Sequence, residues 1–178
     1  MAVKITYFVH GTTTDNEKEL STGQNPGELS DLGIRQSKEL GEIIKDKKFD
    51  AIFSSDLKRA VDSANLTFKK DSIRDKRLRE CNYGDLNGAP EDKVDYLKHI
   101  DVPFPNGESN KDVENRMREF LNDIKEKYDG KHIAILAHKS SQLALEVIVN
   151  GKSWEDAILE DWRKRKAWQP GWIYIINH

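Results

Sequence analysis

Short apolar runs alternate with longer segments of helical period along this chain. That alternation predicts an α/β fold, a three-layer α/β/α sandwich around a mostly parallel central sheet. The runs Lys4 to Val9, Phe49 to Phe53, His132 to Ala137 and Gly171 to Asn177 are rich in β-branched and aromatic residues, the mark of strands. The segments between them repeat apolar residues every three or four positions. At 178 residues the chain has the size of one domain, on a prior of roughly 100–200 residues each, and no linker divides residues 1–178.

The elements follow in order. Lys4-Ile5-Thr6-Tyr7-Phe8-Val9 is the first strand. Gly11 to Glu28 is polar, contains Gly23, Pro26 and Gly27, and reads as a loop. Ser30 caps a helix running to about Lys47, with Leu40, Ile43 and Ile44 on one face. After the second strand, Ser54 or Ser55 is expected to cap a helix whose Leu57, Ala60, Val61, Ala64 and Phe68 fall at helical spacings. Residues 71 to 108 carry little periodicity and are broken by Gly84, Gly88, Pro90, Pro103, Pro105 and Gly107, with a short helix near Pro90–His99. Structureless stretches of this length often form active-site lids. Val113, Met117, Phe120, Leu121, Ile124 and Tyr128 form the stripe of the clearest helix, a core stripe, and Gly130 ends it. Ser141 to Asn150 and Ser153 to Trp162 read as helices, and Gly171 to Asn177 closes the sheet.

Charge narrows the function classes. Charged residues make up 34% of the chain, above the usual quarter, yet 29 Lys+Arg against 31 Asp+Glu leave a net charge of −2. The lack of a positive field argues against non-specific nucleic-acid binding. No apolar run approaches the ~20 residues of a membrane span, and no signal peptide is visible at the start. A single cysteine, Cys81, rules out a disulfide framework and a Cys-based zinc cage, so a cytoplasmic protein is expected. Cys81 lies beside Glu80 and could be exposed, but nothing nearby would activate its thiol. The run Arg163-Lys164-Arg165-Lys166, flanked by Trp162 and Trp168, is preceded by Glu155, Asp156, Glu160 and Asp161. It reads as a solvated helix end with favourable cations at its C-terminus, the tryptophans packing on the last strand, rather than as an RNA or membrane patch.

In open α/β sheets, ligands bind beyond the carboxyl ends of the strands. The first strand ends in Val9-His10-Gly11-Thr12-Thr13, the second in Ser54-Ser55-Asp56-Leu57-Lys58-Arg59, and the one before Ser141 in His138-Lys139-Ser140. Two histidines and an arginine thus converge on one sheet edge, a set suited to a phosphate or a carboxylate.

These residues resemble the histidine phosphatase superfamily, also called phosphoglycerate mutase-like. The family's Arg-His-Gly-Glu-Thr-x-x-Asn is matched by Val9-His10-Gly11-Thr12-Thr13-Thr14-Asp15-Asn16, followed by Gly23 and by Leu29-Ser30-Asp31-Leu32-Gly33-Ile34-Arg35-Gln36. Ser54-Ser55-Asp56-Leu57-Lys58-Arg59-Ala60, Leu78-Arg79-Glu80 with Gly84 and Gly88, Gly107-Glu108-Ser109, and His138 after its strand complete six ordered matches over residues 3 to about 145. In size the chain resembles the small phosphatase branch. The resemblance implies a phosphoglycerate mutase-like sandwich and a phosphomonoester hydrolase that needs neither metal nor organic cofactor. His10 would be the nucleophile that forms a phosphohistidine, its other ring nitrogen held by a backbone carbonyl where Gly11 lets the chain fold back. Arg59 would hold the phosphoryl oxygens and His138 would donate to them in the transition state. Glu80, its pKa raised by burial or by the nearby dianion, would be the general acid and then the base. Gly11, Asn16 and Gly23 would meet the phosphate or the leaving group. The partner implied is a phosphorylated small molecule, a phosphoprotein or phosphate itself. Oligomeric state leaves no mark in the sequence.

Val9 departs from the pattern, standing where the family has the arginine of its signature, one of two that clamp the phosphoryl group. A charged contact of that kind contributes about 1.5–3 kcal/mol. Lys139, where a small or uncharged residue often follows the second histidine, is a candidate to replace part of that charge at the substrate site. Three activities are therefore weighed: a phosphatase, a phosphate-binding pseudo-phosphatase favoured by Val9, and a phosphoglycerate mutase, disfavoured by a length that leaves room for short lids only.

Overall fold

The computed structural model describes residues 1–177. Strand β1 (Val3–Val9) leads to a single helical turn, α1 (Thr14–Glu17), and a two-residue strand, β2 (Leu20–Ser21). Helix α2 (Asp31–Ile43), strand β3 (Ala51–Ser54) and helix α3 (Lys58–Phe68) follow, then β4 (Ile73–Arg74) and β5 (Ala89–Pro90). The second half runs α4 (Asn110–Lys127), β6 (His132–Ala137), α5 (Lys139–Ile148), α6 (Trp154–Leu159) and β7 (Trp172–Ile176). The main sheet has the order β4-β3-β6-β1-β7; only β7 is antiparallel to its neighbour. The architecture is therefore a mixed α/β sandwich with a mostly parallel sheet, as the alternating periods predict.

The two-residue period of the strands divides the core between the faces of the sheet. Ile5, Tyr7, Phe53, Ile133 and Ile135 pack with Val113, Met117, Phe120 and Leu121 of α4 and with Leu143 and Leu145 of α5. Phe8, Ile52, Ala134 and Leu136 point the other way, against Leu40 and Ile44 around α2 and Ala60 and Ala64 of α3. The predicted α4 stripe is wholly buried except at Tyr128, which is half-buried.

Register positions the functional edge. Val9 pairs with Ala137, so β1 and β6 end level, and the His10 amide donates to the Ala137 carbonyl (3.2 Å). Ser55, just past β3, donates to the Leu136 carbonyl (3.3 Å). The chain after β1 then turns against the start of α2. A Cβ on Gly11 would lie 2.4 Å from the Gly33 carbonyl oxygen, and one on Gly33 would lie 1.9 Å from the Thr12 carbonyl oxygen. Both glycines are thus required by backbone lying against backbone.

Several boundaries differ from the sequence expectation. The loop 11–28 contains α1, closed by a Thr13–Asn16 capping box, and β2, which pairs with β5. Neither Ser54 nor Ser55 caps α3. Ser54 ends β3 with its hydroxyl on Ser72, Ser55 accepts from the Leu57 amide, and Leu57 occupies the cap position without a side-chain bond. The expected helix near Pro90–His99 is two isolated 3-10 turns, Glu91–Lys93 and Leu97–His99. Helix α2 stops at Ile43, short of Lys47, α5 starts at Lys139 rather than Ser141, and α6 stops at Leu159. The cations at 163–166 consequently lie in a turn, not at a helix end. Cys81 is fully buried.

Gly33→Ala is expected to lower stability by about 2 kcal/mol through overpacking, or about 4–8 °C in Tm for a chain of this size. Thermal melts of the two proteins check this. An unchanged Tm would mean that the turn after β1 has slack.

Candidate active site

A cavity of ≈ 870 Å³ opens at the carboxyl edge of β1 and β6, with His10, Arg59, Glu80, His138 and Lys139 in its wall. The level strand ends bring His10 and His138 together, their ring centroids 5.1 Å apart. His10 Nδ1 is 2.7 Å from the Gly11 carbonyl oxygen. A carbonyl only accepts, so Nδ1 carries the proton and Nε2 keeps its lone pair. The Gly11 amide donates to the Ser63 hydroxyl (3.0 Å), which anchors the turn to α3.

His138 is completely buried and neither of its ring nitrogens has a protein partner among the described residues. Its backbone is fixed instead. The Tyr7 hydroxyl donates to the His138 carbonyl (2.7 Å) and accepts from its amide (3.0 Å), with Ser141 Oγ 2.7 Å away. Tyr7 was not singled out from sequence. The signal for it was a tyrosine on the inward-facing register of a buried strand, whose hydroxyl must find a partner.

Arg59 is buried in the first turn of α3 and donates to three carbonyls: Nη2 to Gly23 (2.7 Å), and Nη1 to Asn25 (2.8 Å) and Pro26 (3.4 Å). Gly23, at φ +58°, is thus placed as an acceptor that orients Arg59. Asn16 also lines the cavity, with Oδ1 taken by the Thr13 amide (3.0 Å). Lys139 Nζ is 3.6 Å from Asp161 Oδ2 and 4.0 Å from the Tyr96 ring centroid.

Glu80 is carried by a segment without regular structure, held by side chains reaching across from α4. Arg116 donates to the carbonyls of Arg77 (2.6 Å), Arg79 (2.8 Å) and Glu80 (3.1 Å) and pairs with Glu108 at 2.9 Å. Glu108 also accepts from the Asn82 amide (2.9 Å), and Ser109 caps α4. The Gly-Glu-Ser element therefore secures the Glu80 segment. The aperiodic stretch 71–108 is pinned by such bonds rather than left as a free lid.

Electrostatics follow from burial. Burial first, then the Arg59 charge, pulls His10 down to about 3, although its ring still borders the cavity; the Gly11 carbonyl opposes this. The same two causes hold His138 well below its ordinary range. Both rings are neutral at pH 7. Burial alone does not leave Glu80 raised. Burial does push its carboxyl up, but Ser140, the Cys81 amide and Arg59 outweigh it and hold the pKa below the ordinary value. Oε1 accepts from both the Cys81 amide (2.9 Å) and the Ser140 amide (3.0 Å). Neutral histidines beside an arginine and an ionised carboxylate can accept an anion, attack it and move one proton.

The folded pKa of each histidine lies below the unfolded value near 6.5, so below that pH the unfolded chain binds more protons and stability falls. Lowered Glu80 acts in the same direction, its contribution being lost as pH falls through its folded pKa. The slope between pH 6.5 and 4 is expected to steepen by up to about 1.4 kcal/mol per pH unit for each histidine. Urea unfolding of wild type and His138→Asn at pH 7, 6 and 5 measures this. Equal slopes in the two proteins would show that His138 is not held neutral by the fold.

Comparison with known proteins identifies the family and the fold. The sequence profile of the "Histidine phosphatase superfamily (branch 1)" matches residues 7–157. A 2,3-bisphosphoglycerate-dependent phosphoglycerate mutase from Methylorubrum extorquens is 30% identical over 162 residues, covering 80% of this chain and 76% of the relative. The native structure of a mycobacterial glucosyl-3-phosphoglycerate phosphatase is 25% identical, with TM-score 0.76, over 88% of this chain and 84% of that one. A phosphoserine phosphatase mutant from Entamoeba histolytica, solved with phosphoserine, is 22% identical with TM-score 0.77 and covers 88% and 84%. The chain belongs to the histidine phosphatase superfamily.

Proposed function

We propose that this member of the histidine phosphatase superfamily is a phosphomonoester hydrolase that works through a phosphohistidine on His10, without a metal ion. The observation that carries the reading is the His10 ring. Its Nδ1 proton is held by the Gly11 carbonyl, its Nε2 lone pair is free to attack, and Arg59, Glu80 and His138 border the same cavity.

The chemistry closes as follows. Nε2 attacks phosphorus, the P–O ester bond breaks, and the leaving oxygen takes a proton from Glu80. Arg59 and His138 meet the charge on the phosphoryl oxygens. Water then attacks phosphorus, Glu80 takes its proton, the P–N bond breaks, and Glu80 returns to its ionised form by giving that proton to the departing phosphate. With Glu80 held below the ordinary carboxyl range by its partners, the first proton in this reading arrives with the substrate. A phosphomonoester bound as its monoanion supplies one, with a second pKa near 6. The cavity also favours a sizeable leaving group. Its ≈ 870 Å³ lies in the range of whole-ligand pockets, roughly 300–1,000 Å³, and Leu40, Ile43 and Trp168 give its wall an apolar side.

A second reading, a phosphoglycerate mutase, draws on the names of the curated relatives. A mutase must keep water from the phosphohistidine, whereas Lys164, Lys166 and Trp168 at this cavity's wall are solvent-exposed, which favours hydrolysis.

On a generic aryl phosphate, His10→Ala is expected to lower turnover at least about 10³-fold and Glu80→Gln about 10²–10⁴-fold. Activity surviving His10→Ala would remove the nucleophile. An inert wild type revived by Val9→Arg would establish a pseudo-phosphatase, and conversion of 3-phosphoglycerate to 2-phosphoglycerate with a bisphosphoglycerate primer would establish the mutase.

The monoanion requirement predicts kcat/KM falling about tenfold per pH unit above pH ~6. A profile flat to pH 8 would show that Glu80 obtains its proton elsewhere.

A further inference from the structure

Val9 faces the cavity where the family signature has a cation, so of the arginines in the matched motifs Arg59 is the one that lines the cavity. Arg59 is already tied to three carbonyls. A phosphomonoester brings at least one full negative charge and three terminal oxygens, more than one committed guanidinium can satisfy.

A second guanidinium enters from the far end of the chain. Past α6 the backbone turns back over the sheet edge, and Asp161, Trp162 and Arg163 line the same cavity as His10. Arg163 is held in place from three sides. Its Nη1 donates to Asp161 Oδ1 (3.0 Å) and its Nη2 to Gln142 Oε1 (3.2 Å). Its guanidinium lies 4.4 Å from the Trp162 ring centroid, and Trp162 is stacked on Trp172 of β7 at 4.9 Å and donates to the same Gln142 oxygen (3.1 Å). A guanidinium has five N–H donors; these bonds use two. The Arg163 charge reaches both histidines and helps depress them.

Lys139 does not fill this role as well. Its ammonium sits between Asp161 Oδ2 and the Tyr96 ring. Asp161, with a side chain 1% exposed, thus stands between two cations. Asp161 offsets only one of the two positive charges beside it, so the trio keeps a net positive charge at the cavity wall. Arg163 is also the planar fork of the pair, matched to two oxygens of one phosphoryl group. The exposed Lys164 and Lys166 lack any comparable framework of bonds.

We propose that Arg163 is the second phosphoryl-binding cation of this cavity, delivered by the turn after α6 in place of the arginine missing at Val9. Asp161 and Gln142 are its positioning residues, and Lys139 balances Asp161. The proposal rests on the phosphoryl-transfer reading of the cavity and adds a binding residue from outside the matched motifs.

Calorimetric titration with inorganic phosphate tests it on wild type, Arg163→Gln, Arg165→Ala and the double variant Val9→Arg/Arg163→Gln. Glutamine keeps a donor for Asp161 but loses the charge, and circular dichroism verifies folding. Arg165 lies outside the cavity and donates to the Glu160 carbonyl, so its removal controls for loss of any nearby cation. Arg163→Gln is expected to weaken phosphate binding about 10–100-fold, Arg165→Ala to change it less than twofold, and Val9→Arg to recover at least tenfold of the loss. Phosphate affinity in Arg163→Gln within threefold of wild type overturns the proposal. So does a wild type that binds no phosphate, or a loss that Val9→Arg does not repair. Aryl phosphate turnover by the same proteins separates the two readings. Binding that follows this pattern without turnover in any variant overturns the hydrolase and keeps Arg163. Turnover with unchanged phosphate affinity in Arg163→Gln does the reverse.

Discussion

Val9 lies opposite Ala137 in a parallel pair, so the chain leaves two neighbouring strands at the same level. Everything at the cavity depends on that register. A slip of one residue would turn both following side chains to the opposite face. The register is secured from within the strands by Tyr7, whose hydroxyl bonds both ends of the His138 residue, and beyond them by the backbone contact of Gly11 and Thr12 with Gly33. Packing on the two faces then presses α3 and α4 toward the same edge, and these helices supply Arg59 and the Arg116 brace for Glu80. The geometry of the candidate site is in this sense a consequence of how the sheet ends.

A cavity built this way carries an electrostatic tension. Burial disfavours every charge it holds, yet Arg59 and Glu80 are both buried there. Each is retained by ordered partners: carbonyls for the arginine, amides for the carboxylate. His138 has no such partner, the Gly11 carbonyl compensates His10 only in part, and both remain neutral. For His10 that is an advantage, because a neutral ring with one proton fixed on Nδ1 is a nucleophile without further activation. The same amides that keep Glu80 ionised deny it the resting proton a general acid would need. In the proposed mechanism, substrate protonation supplies that proton instead.

The sheet and most helices were legible because their signals are local: strand composition, three-to-four spacing, a serine before a helix. His10, Arg59, Glu80 and His138 were legible because each follows a strand or sits in a fixed local pattern, and the structure brings all four to one cavity. What escaped were features whose cause is distant in sequence. Ser54 and Ser55 look like caps, but one belongs to the sheet and the other bends the chain ahead of α3. The stretch 71–108 looks slack because its order comes from Arg116 and Glu108, not from its own periodicity. Cys81 looks accessible because nothing local says that the loop bearing it is folded under.

The cations after α6 are the clearest instance. Counted along the chain, Arg163 to Lys166 form one basic run with one expected fate, solvent. Three dimensions sort them, because a turn gives successive residues different surroundings where a helix end would have fanned them outward. Asp161 and Gln142 pick out Arg163 and leave its neighbours exposed. A buried carboxylate between two cations also answers why the acidic residue belongs near an anion site at all. Without Asp161, Lys139 and Arg163 would repel each other across the cavity mouth. With it, one guanidinium stays in place with unused donors, so much of the entropy of ordering a long side chain is lost before the anion arrives. The absence of a signature arginine at Val9 thus need not mean a weaker anion site, since an equivalent charge can be held by a different part of the fold.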